Sequence, residues 1–252
     1  MELKNTAVVV TGASRGLGLE LSRALAREGA RVVLVARGAE ELDAAVRLVN
    51  ADAQATGAGG AAHGLAFDVG DKLAIHRIAG AASALVGNVE LLVHAASTLG
   101  PLPMPLLLDT DCEDLQRVLE VNLIGPFRLT KALAGSMVMR QRGMVLFVSS
   151  DAAVSAYANW GAYGISKAAQ DHLARSLAAE HESVRFLSID PGEMDTRMHA
   201  DALPDADRSA LAQPAVVAAR LLRIIRGADS LPNGARLEAA HFAADLATGA
   251  AS

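Results

Sequence analysis

Along the chain, short runs that are apolar at almost every position alternate with longer stretches whose apolar residues recur every three or four positions. TAVVVT (6–11), RVVLVA (31–36), HGLAFD (63–68), VELLVHA (89–95), GMVLFVSS (143–150) and SVRFLSID (183–190) are of the first kind. Near-continuous hydrophobicity over so few residues is what a strand buried on both faces requires, so these segments predict strands. Segments 16–28, 39–54, 71–86, 111–139 and 161–181 predict helices. Strands and helices alternating at this spacing predict one doubly wound α/β domain: a parallel sheet with right-handed crossovers and helices on both faces.

The interruptions are informative too. ATGAGGAAHG (55–64) predicts a loop before the third strand, and the three prolines of STLGPLPMPLLL (97–108) exclude a regular helix. VVAARLLRII (216–225) carries a stripe that predicts a core-facing helix. ADALPDADRSALAQP (200–214) reads either as a mobile flap or as a polar connector.

With 252 residues, 52% of them hydrophobic, the chain has enough apolar surface for one substantial core. A net charge of −5 and no clustered basic residues argue against nucleic acid as a partner. Cys112 is the only cysteine, so nothing points to an oxidising compartment. The opening MELKNTAVVVTGAS lacks the features of a secretory leader, and no apolar run is long enough to cross a bilayer, so a cytoplasmic location is expected. The seven histidines show no metal-ligand spacing, and no GxSxG elbow suggests a serine hydrolase.

The first predicted strand runs into TGASRGLG (11–18), where Gly12, Gly16 and Gly18 precede a predicted helix. Glycines there permit a tight turn and close approach of a pyrophosphate, which the helix N-terminus meets with free N–H groups and its dipole. About twenty residues further on, at the end of the second strand, a dinucleotide site commonly carries an acid that reads the ribose hydroxyls. This chain has Ala36-Arg37 there, and Arg15 sits inside the loop. Arginines suit a 2′-phosphate, which predicts NADP(H) in preference to NAD(H).

At this point the sequence resembles the short-chain dehydrogenase/reductase family over almost its whole length. TGASRGLG, Asp68-Val69, Asn122 in VNLIG, Ser150 thirteen residues before Tyr163, the YxxxK pair Tyr163 and Lys167, and PGEMDT (191–196) match the family's motifs in order. The resemblance implies a single Rossmann-type NADP(H)-binding domain over residues 1–252, with a substrate-covering segment at about 191–214. It implies cofactor contacts through Gly12, Ser14, Arg15, Gly16, Leu17, Gly18, Arg37, Asp68, Val69, Ala95, Ala96, Tyr163, Lys167, Pro191, Gly192, Met194 and Thr196. It also implies a homotetramer or homodimer packed through the 111–139 and 161–181 helices. One departure stands out: His94-Ala95-Ala96-Ser97 replaces the family's usual NNAG, and His94 reads as a buried structural residue.

The chemistry expected is interconversion of a carbonyl compound and its alcohol by hydride transfer. The alkoxide formed on reduction needs a proton, and a free tyrosine with pKa near 10 is a sluggish donor or base at neutral pH. An ammonium nearby favours the phenolate, and i,i+4 spacing puts Lys167 on the same helix face as Tyr163. The catalytic residues expected are therefore Asn122, Ser150, Tyr163 and Lys167, with Asn122 inferred to hold a water that links Lys167 to solvent. Ser150, Tyr157, Trp160 and Tyr163 are the expected substrate contacts; His94, Ser97, Leu99, Asp151, Met194, Met198 and His199 are further pocket candidates by position. Two other readings stand beside this one: an NADP(H)-binding redox-sensing or regulatory protein without turnover, and a nucleotide-sugar epimerase or dehydratase. The last fits poorly, because those relatives carry TGxxGxxG and a larger C-terminal domain.

Overall fold

A computed structural model describes residues 1–242. Seven parallel strands form one sheet: β1 (Ala7–Thr11), β2 (Arg31–Ala36), β3 (Ala61–Ala66), β4 (Leu91–His94), β5 (Met144–Val148), β6 (Arg185–Asp190) and β7 (Arg236–Glu238). Their order is β3-β2-β1-β4-β5-β6-β7. The chain reverses its direction of travel across the sheet between β1 and β4, which opens a crevice at the carboxyl ends of the strands.

Each continuous apolar run serves two cores at once. Val8 and Val10 of β1 face the layer of α1 (Gly16–Arg27), α2 (Ala39–Thr56) and α8 (Pro214–Gly227). Ala7 and Val9 face the opposite layer, which includes α3 (Ala74–Val86), α5 (Gly125–Met139) and α6 (Gly161–Glu180). That two-sided burial is why these strands show no polar alternation. The stripe of 216–225 does face the core, through Val217, Leu221, Leu222 and Ile225. Among the described residues, no helix is long and apolar enough to cross a membrane.

Three expectations need correction. The third strand lies two residues earlier than its hydrophobic pattern indicates, because β2 pairs Arg31 with Ala61 through Ala36 with Ala66; Asp68 is thereby left beyond the strand end. The stretch 111–139 is not one helix. It is α4 (Cys112–Leu119), a π-helical turn at Glu120–Ile124, and α5, with Pro126 in the first turn of α5. Proline cannot supply the N–H that a continuous α-helix needs at that point, and the wider turn accommodates this. The short helix α7 (Arg197–Ala202) and the strand β7 were not foreseen; a three-residue RLE strand carries no periodic signal.

β7 nevertheless carries a structural clasp. The Arg236 guanidinium donates from Nε to Asp171 Oδ2 on α6 at 3.0 Å, and from Nη2 to Asp190 Oδ2 at the end of β6 and to the Ser150 carbonyl, both at 2.9 Å. The Asp171 and Asp190 side chains are only 4% and 9% exposed, so each carboxylate depends on this cation. Removing one partner of a buried ionic cluster strands the others in low dielectric. Arg236→Met should cost about 3 kcal/mol of stability in urea denaturation. A loss below about 1 kcal/mol, the range of an exposed pair, would show that the cluster is not structural.

Candidate active site

α1 begins at the end of β1 with an N-terminus that no side chain caps, and its first turn holds no acid. Four N–H groups at such a terminus want an acceptor. The loop that leads into it is packed too tightly for side chains. Gly12 has φ +67°, and a Cβ there would lie 2.6 Å from the Ala96 nitrogen; a Cβ on Gly18 would strike the Gly12 carbonyl. A helix end of this kind, open and uncapped at the crevice, fits an anionic phosphate group. Arg15 and Arg37 line the same wall, and Arg15 lies 3.9 Å from Glu41 of α2. Burial pushes the Asp68 carboxyl up, but the Gly70 N–H at 2.8 Å and Arg117 at 2.6 Å together hold it below the usual carboxylate range.

One cavity of about 1180 Å³ extends from this loop across the crevice to 190–203. Every residue named above for cofactor or substrate contact lines it, as do Ser97, Leu99, Asp151, Met198 and His199. Asn122 and His94 do not line it; both are buried behind its wall. Leu99, Met104, Ala152 and Tyr163 form a small apolar cluster at the far end, against which Trp160 and Met198 pack.

The segment after β4 keeps its position by other means than the NNAG pattern. The Ala96 N–H donates to Thr11 Oγ1 at 3.2 Å. The Asn122 side chain accepts from the Thr98 N–H at 2.8 Å and from Ser97 Oγ at 3.1 Å, and donates to the Thr98 carbonyl and Ser166 Oγ, both at 2.9 Å. His94 is 1% exposed, stacks on Phe147 and hydrogen-bonds Thr130 Oγ1 at 2.9 Å. Its imidazole therefore packs as a structural group.

Tyr163 and Lys167 share the inner face of α6, with Nζ 5.6 Å from the centre of the phenol ring. Nζ donates to the Val148 carbonyl at 2.7 Å and lies 3.4 Å from Gln170 Oε1. Burial pushes Lys167 down to about 8, opposed by Asp171. Burial likewise pushes Tyr163 up to about 12; the neighbouring Ser150 and Ser97 hydroxyls work against this, while Asp190 and Asp151 add to it. The Lys167 ammonium was expected to favour the phenolate. In the protein alone, the low dielectric around the phenol wins.

Gln170 is the residue that sequence reasoning missed. Asn122 was expected to hold a water that links Lys167 to solvent; its backbone carbonyl accepts from Gln170 Nε2 at 2.8 Å. The signal was present, since Gln170 lies three positions after Lys167 on the same helix face. On the outer side, Ser150 Oγ donates to Asp151 Oδ1 at 2.9 Å, and the Tyr157 hydroxyl donates to Asp151 Oδ2 at 2.8 Å. In the covering segment, Asp195 is ion-paired with Arg208 and accepts from Gln213 at 3.3 Å.

The short-chain dehydrogenase family model matches residues 6–207. The chain belongs to the short-chain dehydrogenase/reductase family. It is 35% identical to a short chain dehydrogenase of Pseudocercospora fijiensis over 82% of this chain and 66% of that one. It is 31% identical to the uncharacterised oxidoreductase YciK of Escherichia coli over 84% of this chain and 83% of that one. The chain spans only 62% of the length of the SDR family member 7B proteins it matches in cattle and rat. A short chain dehydrogenase structure from Escherichia coli CFT073, complexed with NADPH, superposes with a TM-score of 0.83 at 30% identity, covering 94% of this chain and 98% of that one. Family and fold thus agree: the match covers strands β1 to β6, the glycine loop and the Ser150, Tyr163 and Lys167 positions.

The buried His94 of this family member makes a pH prediction. Burial, reinforced by Lys167, lowers its pKa from 6.5 to about 3. Between these values the unfolded chain binds a proton that the folded one refuses, so stability falls as pH falls from 6.5 towards 3. One such group contributes a slope of up to about 1.4 kcal/mol per pH unit. Urea denaturation across this window should show the slope in the native protein and a shallower one in His94→Asn. Equal slopes would remove His94 from the account.

Proposed function

We propose that this protein is an NADP(H)-dependent carbonyl reductase or alcohol dehydrogenase in which Tyr163 is the acid/base. The observation that carries this reading is the convergence of Ser150, Tyr163 and Lys167 on the wall of a cavity whose other end is an uncapped helix N-terminus. NADPH bound there supplies the hydride. Residues at the start of α1 hold the pyrophosphate, and Arg37 with Arg15 holds the 2′-phosphate, which no acid at the end of β2 repels. The NADPH complex of the Escherichia coli CFT073 relative supports the choice of cofactor.

Ser150 presents its hydroxyl to the substrate oxygen and stabilises the charge that develops there. Tyr163 gives its proton to that oxygen in reduction and takes one in oxidation. A phenol held up at about 12 suits the protonated, donating form. Lys167 holds the nicotinamide ribose hydroxyls and, with its charge, stabilises the phenolate left after transfer. Asn122 acts from behind the wall, fixing the Ser97 hydroxyl, the Thr98 backbone and Ser166. Trp160 and Tyr157 bound the substrate end, a mixed apolar and polar space suited to a modest carbonyl compound.

The whole chain serves as one NADP(H)-binding domain, with 191–214 covering the substrate. It works in the cytoplasm as a homodimer or homotetramer; exposed Phe127 on α5 and Ile165 on α6 are apolar surface that such an interface would cover. The ties from Thr11 and Asn122 to the altered 94–98 segment weigh against a non-catalytic role.

Tyr163→Phe should lower turnover of a ketone or aldehyde panel with NADPH by about 10²-fold or more, the low end of a general acid's contribution, with NADPH affinity nearly unchanged. Substantial residual turnover would sink the assignment. Arg37→Asp should weaken NADPH and spare NADH in a binding titration; equal effects on both would release Arg37 from its role.

A further inference from the structure

Resting on that reading, we propose that Arg236 is a positioning residue for hydride transfer. Its guanidinium sets Ser150, the turn at Pro191-Gly192 and the Tyr163–Lys167 face of α6 relative to one another.

The placement of its three acceptors leads there. Nη2 donates to the Ser150 carbonyl and to Asp190 Oδ2, both at 2.9 Å. The first acceptor belongs to the residue whose hydroxyl meets the substrate. The second carboxylate faces two ways, since its Oδ1 accepts from the Gly192 N–H at 3.0 Å. Pro191 and Gly192 follow it directly and line the cavity. Nε donates to Asp171 Oδ2 at 3.0 Å. Asp171 follows Tyr163 and Lys167 at helical spacing, and all three are buried on one face of α6.

A clasp that served the fold alone could be anchored anywhere along α6 and the strand ends. These anchors are the segments that carry Ser150, the Tyr163–Lys167 pair and the 191–192 wall. The ladder between β5 and β6 reaches Ser149, whose N–H donates to the Ile189 carbonyl at 2.7 Å. Arg236 extends that coupling by one residue on each strand, to Ser150 and Asp190. A guanidinium is planar, so one rigid group fixes the separations among its acceptors. Arg236 itself does not line the cavity, and its side chain is only 16% exposed. It therefore acts through the residues it holds, without touching cofactor or substrate.

The test is Arg236→Lys, assayed with NADPH and a carbonyl panel of isatin, benzil and diacetyl. Lysine keeps a cation between the two carboxylates, but its flexible ammonium cannot reproduce the planar fork. The folded fraction is read from urea denaturation, and kcat is expressed per folded molecule. We expect kcat to fall by about tenfold or more, within the roughly hundredfold that a 1 Å misplacement of reacting groups costs. NADPH affinity should be nearly unchanged. With NADPH deuterated at its hydride-bearing carbon, the isotope effect on kcat should be at least that of the wild type. A role confined to stability would lower the folded fraction and move neither kcat per folded molecule nor the isotope effect.

Asp190→Asn cuts the same link from β6 and carries the test if Arg236→Lys does not fold. A carboxamide has one acceptor oxygen, so either the Arg236 or the Gly192 bond is lost, and the same loss of kcat is expected. Glu238→Gln removes only the half-exposed carboxylate 3.6 Å from Nη1 and should retain wild-type kcat. Wild-type kcat in either folded clasp variant, or an isotope effect below that of the wild type, would overturn the inference. So would an equal loss in Glu238→Gln, which would assign the effect to charge rather than position. Each of these leaves the carbonyl reductase reading intact, whereas a wild type that reduces no member of the panel would overturn both.

Discussion

Burying the ammonium of Lys167 is the constraint that organises this molecule. An isolated cation in a protein interior is costly unless its donors find acceptors, and this one is 2% exposed. The Val148 carbonyl at the end of β5 and Gln170 provide those acceptors. Gln170 in turn requires a free carbonyl, which the π-helical turn at Glu120–Ile124 exposes at Asn122. In an α-helix running straight from Cys112 to Met139 the partner of that carbonyl would be the nitrogen of Pro126, which has no hydrogen to give. On the other side, Asp171 lies four residues after Lys167 on α6, and Arg236 ties it to Asp190 and to the Ser150 carbonyl. The charge of Lys167 is thus accommodated by groups from β5 and α6, while the Arg236 clasp holds the Ser150 carbonyl beside them.

The electrostatics favour a tyrosine that keeps its proton in the free protein. Burial acts on the two partners of the YxxxK pair in opposite senses: it disfavours the phenolate and it disfavours the ammonium. Asp190 and Asp151 add to the first effect, while Asp171 opposes the second. A donor held protonated and a cation held within 5.6 Å of its ring suit a step in which negative charge appears on the phenol only as the proton leaves.

The sheet was legible in the sequence because strands buried on two faces leave an unmistakable apolar run, as RVVLVA and GMVLFVSS do. The glycine loop and the Ser150, Tyr163 and Lys167 set were legible because their chemistry demands particular residues at particular spacings. What stayed hidden depends on partners far apart in sequence. Arg236 reaches Ser150 across 86 positions, and nothing local to RLE announces either a strand or a clasp. The break at Glu120–Ile124 was hidden because apolar periodicity persists through it. Gln170 was hidden because its role depends on a carbonyl 48 positions away, at Asn122, which Pro126 leaves without a helix partner. The end of β3 was misplaced for the same reason: its register is set by β2, not by its own pattern.

The measurement that tests the account most directly is the thermal stability of the purified protein with NADPH, with NADH and with neither. A ligand that binds only the folded state at about a hundred times its dissociation constant adds roughly 2.7 kcal/mol. For a chain of this size that is a rise in Tm of about 5–10 °C. This rise is expected with NADPH and little with NADH. No rise with either nucleotide would contradict it, since the uncapped helix, the arginines and the cavity would then have been assigned to the wrong ligand.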